Sequence, residues 1–228
     1  MKNLLRIILI SIFSLGTFLH AQDDLRNCKK RIKISGERND GSGVKDTVMV
    51  VTQRFYDFTD AQLKKQLEDD KYRYEGFNYQ AYDQPTMKMD CAGNTLHEVF
   101  LTGKYWITAE MFYNCIIKPY ATKVSNSVSW GDAKESDIVV FFNDSGAPTH
   151  ICSVSSVQKT MGVVSSITIF TKDGKEACYM HKMTLGGSGN DPLFRSMGTP
   201  QVFRINHETF DVNDAFYPDC KGMVDVKQ

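Results

Sequence analysis

From residue 137 to residue 183 the chain repeats one pattern: a run of β-branched and apolar residues, then a short polar turn. Asp137-Ile138-Val139-Val140-Phe141-Phe142 leads into Asn143-Asp144-Ser145-Gly146, and residues 149–157, 163–171 and 177–183 follow with short glycine or lysine turns between them. Strands joined so tightly pair with their sequence neighbours, so the pattern predicts an antiparallel meander. Gln201-Val202-Phe203-Arg204-Ile205 predicts a last strand, and residues 46–51 an early one. Residues 59–67 predict a helix, with Thr59 as N-cap and Gln62 completing a capping box. Leu96, Val99 and Phe100 fall at helical spacing, and Asp90 before them is a good N-cap, which puts Cys91 in the first turn. Residues 108–122 predict a further helix that ends near Pro119. Residues 23–46 read as a loose lead-in or a hairpin, the tyrosine-rich stretch 71–89 as irregular, and 186–192 as a loop. Helices first and strands after predict an α+β chain, its N-terminal helices packed on an antiparallel sheet.

The first residues constrain the compartment. Lys2 and Arg6 precede an apolar run from Ile7 to Leu19, and Ala21 follows at a cleavage point before Gln22. This is the three-part pattern of a secretory signal, with an apolar run too short for a comfortable membrane span. Residues 1–21 are therefore expected to be a signal peptide, 22–70 an N-terminal extension, 71–210 the main domain and 211–228 a tail. No stable membrane span is expected after cleavage, and the chain is expected to be secreted or periplasmic. The 27 basic and 27 acidic residues cancel, and no basic stripe with interleaved aromatics occurs, so nucleic acid is not an expected partner. The cysteines are Cys28, Cys91, Cys115, Cys152, Cys178 and Cys220. No two have Cys-x-x-Cys spacing, and no metal or organic cofactor is expected. Export permits disulfides, and Cys28 with Cys220, near the two chain ends, is the candidate bridge.

A thiol in the first turn of a helix is electrostatically special, because unpaired N–H groups and the helix dipole favour the thiolate. Cys91 is thus the candidate nucleophile. A histidine must lie within reach as base and later as acid, and His150 opens a strand of the sheet. A third group should orient the imidazole. If the turn between the two central strands is centred near residue 160, His150 faces residue 170 or 171, and side-chain direction favours Thr171, with Asp173 in the next turn as the other option. The Cys91 N–H is the expected oxyanion donor.

Asp90-Cys91-Ala92-Gly93, Ser136-Asp137-Ile138-Val139 and His150-Ile151-Cys152-Ser153-Val154 occur in that order. This order resembles NlpC-type papain-like cysteine peptidases and the related CHAP amidohydrolases. Thr102-Gly103-Lys104-Tyr105-Trp106-Ile107, Thr171-Lys172-Asp173-Gly174 and Met197-Gly198-Thr199-Pro200 resemble further segments of secreted bacterial variants. The likeness covers residues 74–205. Asn94, Cys152 and Asp173 stand where those proteins carry an apolar residue, a glycine and a tryptophan. The resemblance implies a papain-like fold and an exported cysteine amidohydrolase or peptidase acting on peptide or peptidoglycan fragments. Cys91, His150 and Thr171 would form the catalytic set, with Asp90, Gly93 and Tyr79 against the substrate. Two other readings follow from the same residues: a catalytically inactive binding module on the same fold, and a disulfide-stabilised structural protein with Cys91 bridged.

Overall fold

The computed structural model describes residues 28–54, 57–74, 79–86, 88–125, 129–184 and 197–213. In chain order the elements begin with β1 (Cys28–Glu37), β2 (Lys45–Arg54), α1 (Asp60–Tyr74), β3 (Tyr79–Asp83) and α2 (Cys91–Phe100). A helical stretch follows: α3 (Ala109–Phe112), a π-helical turn Tyr113–Ile117, and α4 (Lys118–Tyr120). The remaining strands are β4 (Ala121–Lys123), β5 (Ile138–Phe142), β6 (Pro148–Thr160), β7 (Val163–Lys172), β8 (Cys178–Thr184), β9 (Thr199–Ile205) and β10 (Asp211–Asn213). The chain is α+β. Seven strands form an antiparallel sheet in the order β3-β8-β7-β6-β5-β9-β4, and β10-β1-β2 form a second, smaller sheet.

The meander is present as the sequence predicts it, with β5, β6, β7 and β8 pairing in succession. All five side chains of β5 are buried. Ile138, Val140 and Phe142 enter one apolar cluster, and Val139 and Phe141 enter another. Successive strand residues point to opposite faces, so a strand covered on both sides needs an unbroken apolar run. The first cluster holds Ala92, Leu96 and Val99 of α2 and Phe112, Ile116 and Ile117 of the next helical stretch. Ile32, Ile34 and Val50 of the N-terminal hairpin enter that same cluster. Strand β10 pairs with β1, so the segments before residue 70 and after 210 meet in one sheet.

The capping box at Thr59 is formed: its N–H donates to Gln62 Oε1 at 3.0 Å, and the Gln62 N–H donates back to Thr59 Oγ1 at 3.4 Å. The helix it opens runs on to Tyr74, into a stretch expected to be irregular. Its buried residues are Gln66, Asp70 and Tyr74, a polar i, i+4, i+8 stripe that apolar periodicity does not reveal. Strand β3 was likewise not anticipated; it is a half-exposed edge strand with a register shift between Ala81 and Asp83. The predicted helix over 108–122 is observed from Ala109 to Tyr120, with Thr108 Oγ1 accepting from the Met111 N–H. At the entry to β9, Gly198 has φ +96°, and a Cβ there would stand 2.1 Å from the Phe142 carbonyl oxygen. Only glycine allows this approach.

The expected signal segment, the Cys28–Cys220 pairing and the loop at 186–192 lie outside the described residues. Among those described, no helix is long and apolar enough to cross a membrane.

Arg204 on β9 grips Asp137, just before β5, through both carboxylate oxygens at 2.8 and 2.7 Å. Asp137 is only 2% exposed. Removing the guanidinium would strand a buried carboxylate, so Arg204→Ala is expected to cost about 3 kcal/mol in chemical denaturation. Arg204→Lys, which keeps the charge and loses the fork, is expected to cost less. A loss below about 1 kcal/mol for the alanine variant would show that the pair behaves as an exposed one.

Candidate active site

The start of α2 is fixed by one carboxylate. Asp90 Oδ1 accepts the Gly93 N–H at 2.8 Å and the Ile107 N–H at 3.2 Å. It thereby caps the helix and ties its first turn to the segment 102–107. Gly93 completes the junction: a Cβ there would lie 1.7 Å from the Tyr105 carbonyl oxygen. Tyr105 and Ile107 are themselves buried, so the turn that carries Cys91 is held from two sides.

That turn sets Cys91 against β6. The Ile151 N–H approaches the Cys91 sulfur and favours its anionic form. The sheet register explains why this amide is available. The Val154 N–H bonds to the Asp137 carbonyl before β5. Backbone amides alternate sides along a strand, so those of Ser153 and Ile151 face β7. The β6–β7 ladder starts at Ser153 opposite Phe170. Ile151 lies two residues beyond it, and its amide is left to favour the anionic sulfur.

His150 precedes that peptide and is buried. Its Nε2 is 2.8 Å from Thr171 Oγ1, and its ring packs edge-on against Phe141. The contact with Thr171 agrees with the sequence reading, although the register behind it differs. The β6–β7 turn lies at Met161-Gly162, not at residue 160, and the ladder has two irregularities. His150 therefore reaches Thr171 diagonally, not as its direct partner.

Burial pushes the Cys91 thiol well above its ordinary range, and the Asp90 charge adds to this, while the Ile151 N–H works against it. Burial also drives the His150 imidazole below its ordinary value, opposed by the charge of Asp173. At neutral pH Cys91 thus rests as a thiol and His150 as an uncharged imidazole. Burial raises the Asp90 carboxyl from 3.8 to about 7, against the two amides it accepts from and the charge of Lys172.

Of the residues singled out from the sequence, Asp90, Cys91 and Gly93 share the start of α2, which packs on β6 and β7, and His150 and Thr171 on those two strands are bonded to each other. Asp90 and Gly93 shape the start of the helix. Tyr79 does not join them: it sits on β3, which β8 and β7 separate from β6, and stacks on His181 at 4.3 Å. Cys91, Cys115, Cys152 and Cys178 are free thiols, so Cys91 is not half of a bridge. Three further residues were not anticipated. Asn94 is fully buried, its amide held by the Tyr82 hydroxyl at 3.1 Å and the Cys178 thiol at 3.2 Å. Lys172, also fully buried, donates to the Glu176 carbonyl. Arg73 of α1 pairs with Asp173 at 2.8 Å. No local sequence pattern marks Asn94 or Arg73, because Cys178 and Asp173 are distant in the chain; Lys172 bonds only four residues on, but to a backbone carbonyl, which no residue type signals. Among the described residues no group of three or more His, Cys, Asp or Glu side chains is placed to hold a metal ion.

Compared with family models, with curated proteins and with solved structures, the chain matches none.

The Asp90 shift carries a sign that can be tested. The folded state holds this proton more tightly than the unfolded chain, so the stabilisation is complete below about 3.8 and is lost as pH rises through about 7. Asparagine caps helices as well and cannot ionise. Measured by thermal unfolding from pH 5 to pH 8, the wild type is expected to lose stability relative to Asp90→Asn. Parallel curves would mean that Asp90 does not titrate in this range.

Proposed function

We propose that the chain is an exported cysteine amidohydrolase or peptidase, of the papain-like kind that NlpC and CHAP proteins represent, acting on amide bonds of bacterial cell-wall peptides. One observation carries this reading: Cys91 opens a helix that packs on β6 and β7, the strands on which the His150 ring is fixed at Nε2 by Thr171. The substrate class rests on the sequence resemblance and on the signal-like N-terminus.

In this mechanism His150 Nε2–H donates to the Thr171 hydroxyl, and Nδ1 carries the lone pair that receives the thiol proton. The sulfur attacks the substrate carbonyl carbon as the proton leaves, and the oxyanion forms at the Cys91 N–H. The imidazolium then protonates the departing amine as the C–N bond breaks, leaving a thioester on Cys91. Water, deprotonated by the imidazole, hydrolyses that thioester and restores the thiol. Developing charge meets fixed donors, the Ile151 amide and the helix start, so stabilisation grows toward the transition state.

A catalytically inactive binding module on the same fold is the second reading. It is favoured by the neutral Thr171 hydroxyl as the orienting partner among the described residues and by the desolvation that keeps the Cys91 thiol protonated.

Purified muropeptides incubated with the chain and read by mass spectrometry decide between the two. Cys91→Ala and His150→Ala are each expected to reduce turnover by at least about a thousandfold, and the double variant by little more, because the pair acts as one unit. Thr171→Ala is expected to cost less than either. Identical spectra for wild type and Cys91→Ala, with the fragments still bound, would establish the binding module.

The lowered imidazole value predicts the pH profile. The base must be unprotonated, so kcat/KM is expected to hold below pH 6.5, the ordinary imidazole value, and to fall only in more acidic solution. An acid limb at 6.5 or above would contradict the buried His150 as base.

A further inference from the structure

Helix α1 reaches the candidate site through the β7–β8 turn. Three of its last residues hold that turn: Asp70 Oδ2 accepts the Ala177 N–H at 2.7 Å, Arg73 pairs with both Asp173 and Glu176, and the Tyr74 hydroxyl donates to Glu176. The turn is closed by the Glu176 N–H on the Asp173 carbonyl at 3.0 Å. It begins two residues after Thr171, whose hydroxyl sits on the His150 ring. A helix from outside the resemblance thus fixes the backbone that presents the orienting residue.

We propose that Asp173 and Arg73 are positioning residues of the Cys91–His150 pair, Asp173 acting as the negative charge beside it and Arg73 as the cation that holds and partly balances that charge. Among the described residues, the charged or titratable groups around the pair are Asp90 at the start of α2, Cys152 on β6 and Asp173, with Lys172 beside Asp90. Phe141 and Thr171, which touch the imidazole, are uncharged. Of the carboxylates, Asp173 acts on both members, favouring the protonated imidazole and disfavouring the thiolate. A neutral hydroxyl at Thr171 cannot stabilise an imidazolium by charge, so a nearby carboxylate supplies that stabilisation at longer range. Full exposure of that charge would suppress the thiolate; the Arg73 guanidinium 2.8 Å away limits it. The partner groups are taken as the nucleophile and base proposed above, but the test needs no turnover.

The test is site-resolved alkylation of the full chain by iodoacetamide at pH 8 and low ionic strength, where screening is weak. Cys115 serves as an internal control. Asp173→Asn is expected to speed alkylation of Cys91 about threefold and Arg73→Gln to slow it by a similar factor, corresponding to about half a pKa unit each way. Arg73→Lys should restore the wild-type rate. In the Asp173→Asn background Arg73→Gln should have a much smaller effect, because the carboxylate it then leaves unbalanced is Glu176 alone. The NMR titration of the His150 ring should shift oppositely too, down in Asp173→Asn and up in Arg73→Gln. Shifts in the same direction in both variants would reduce the contacts to structural support, and unchanged rates in folded variants would remove the coupling. A chain that shows the opposite shifts but cleaves no muropeptide keeps the coupling and loses the hydrolase reading.

Discussion

The arrangement depends on a buried carboxylate with two backbone donors. Asp90 could cap α2 from an exposed position, as most N-caps do, at little desolvation cost. Instead the same oxygen that accepts from Gly93 also accepts from Ile107, so the helix cannot shift without breaking a bond to the following segment. Gly93 then lets Tyr105 close over the turn, where any side chain would collide with a carbonyl. The position of the Cys91 sulfur follows from these contacts. The raised Asp90 carboxyl is the electrostatic consequence of that burial, tempered by the amides and by Lys172.

The second constraint is where the central ladder stops. Strands β6 and β7 pair from the Met161-Gly162 turn back to Ser153 and Phe170. Had the pairing run two residues further, the Ile151 amide would belong to β7. Because it does not, a backbone donor is left at the edge of the ladder beside the residue that follows His150. The Arg204–Asp137 grip fixes the other side of β6 through β5. Sheet register, more than any single side chain, thus determines what the sulfur meets.

Legibility in the sequence followed the range of the interactions. The meander, the capping box at Thr59 and the helix start at Asp90 are local: each depends on residues a few positions apart, and each was found where expected. Helix α1 beyond residue 67 and strand β3 were not legible, because their buried faces use polar and tyrosine side chains whose partners lie about a hundred residues away, as with Asp70 and Ala177. The Thr171 contact was anticipated from a turn position that is one to two residues off; the two ladder irregularities and the diagonal reach of the imidazole offset that error. Tyr79, which the resemblance sets against the substrate, sits on β3, with β8 and β7 between it and β6. Periodicity reads faces and caps; it does not read sheet order.

A half-buried thiol and a buried neutral imidazole look ill suited to nucleophilic attack, since desolvation opposes charge on each. The opposition is greatest for either charge alone. Proton transfer from Cys91 to His150 creates the two together, and their mutual attraction is strong where water is excluded. The Ile151 amide and the helix start add fixed donors on the sulfur side, and Asp173 adds a charge on the imidazole side. A protonated thiol is also the less readily oxidised form. On the proposed reading, the resting neutrality of Cys91 and His150 and their use in catalysis share one cause: desolvation that keeps both uncharged until a substrate carbonyl draws the proton across.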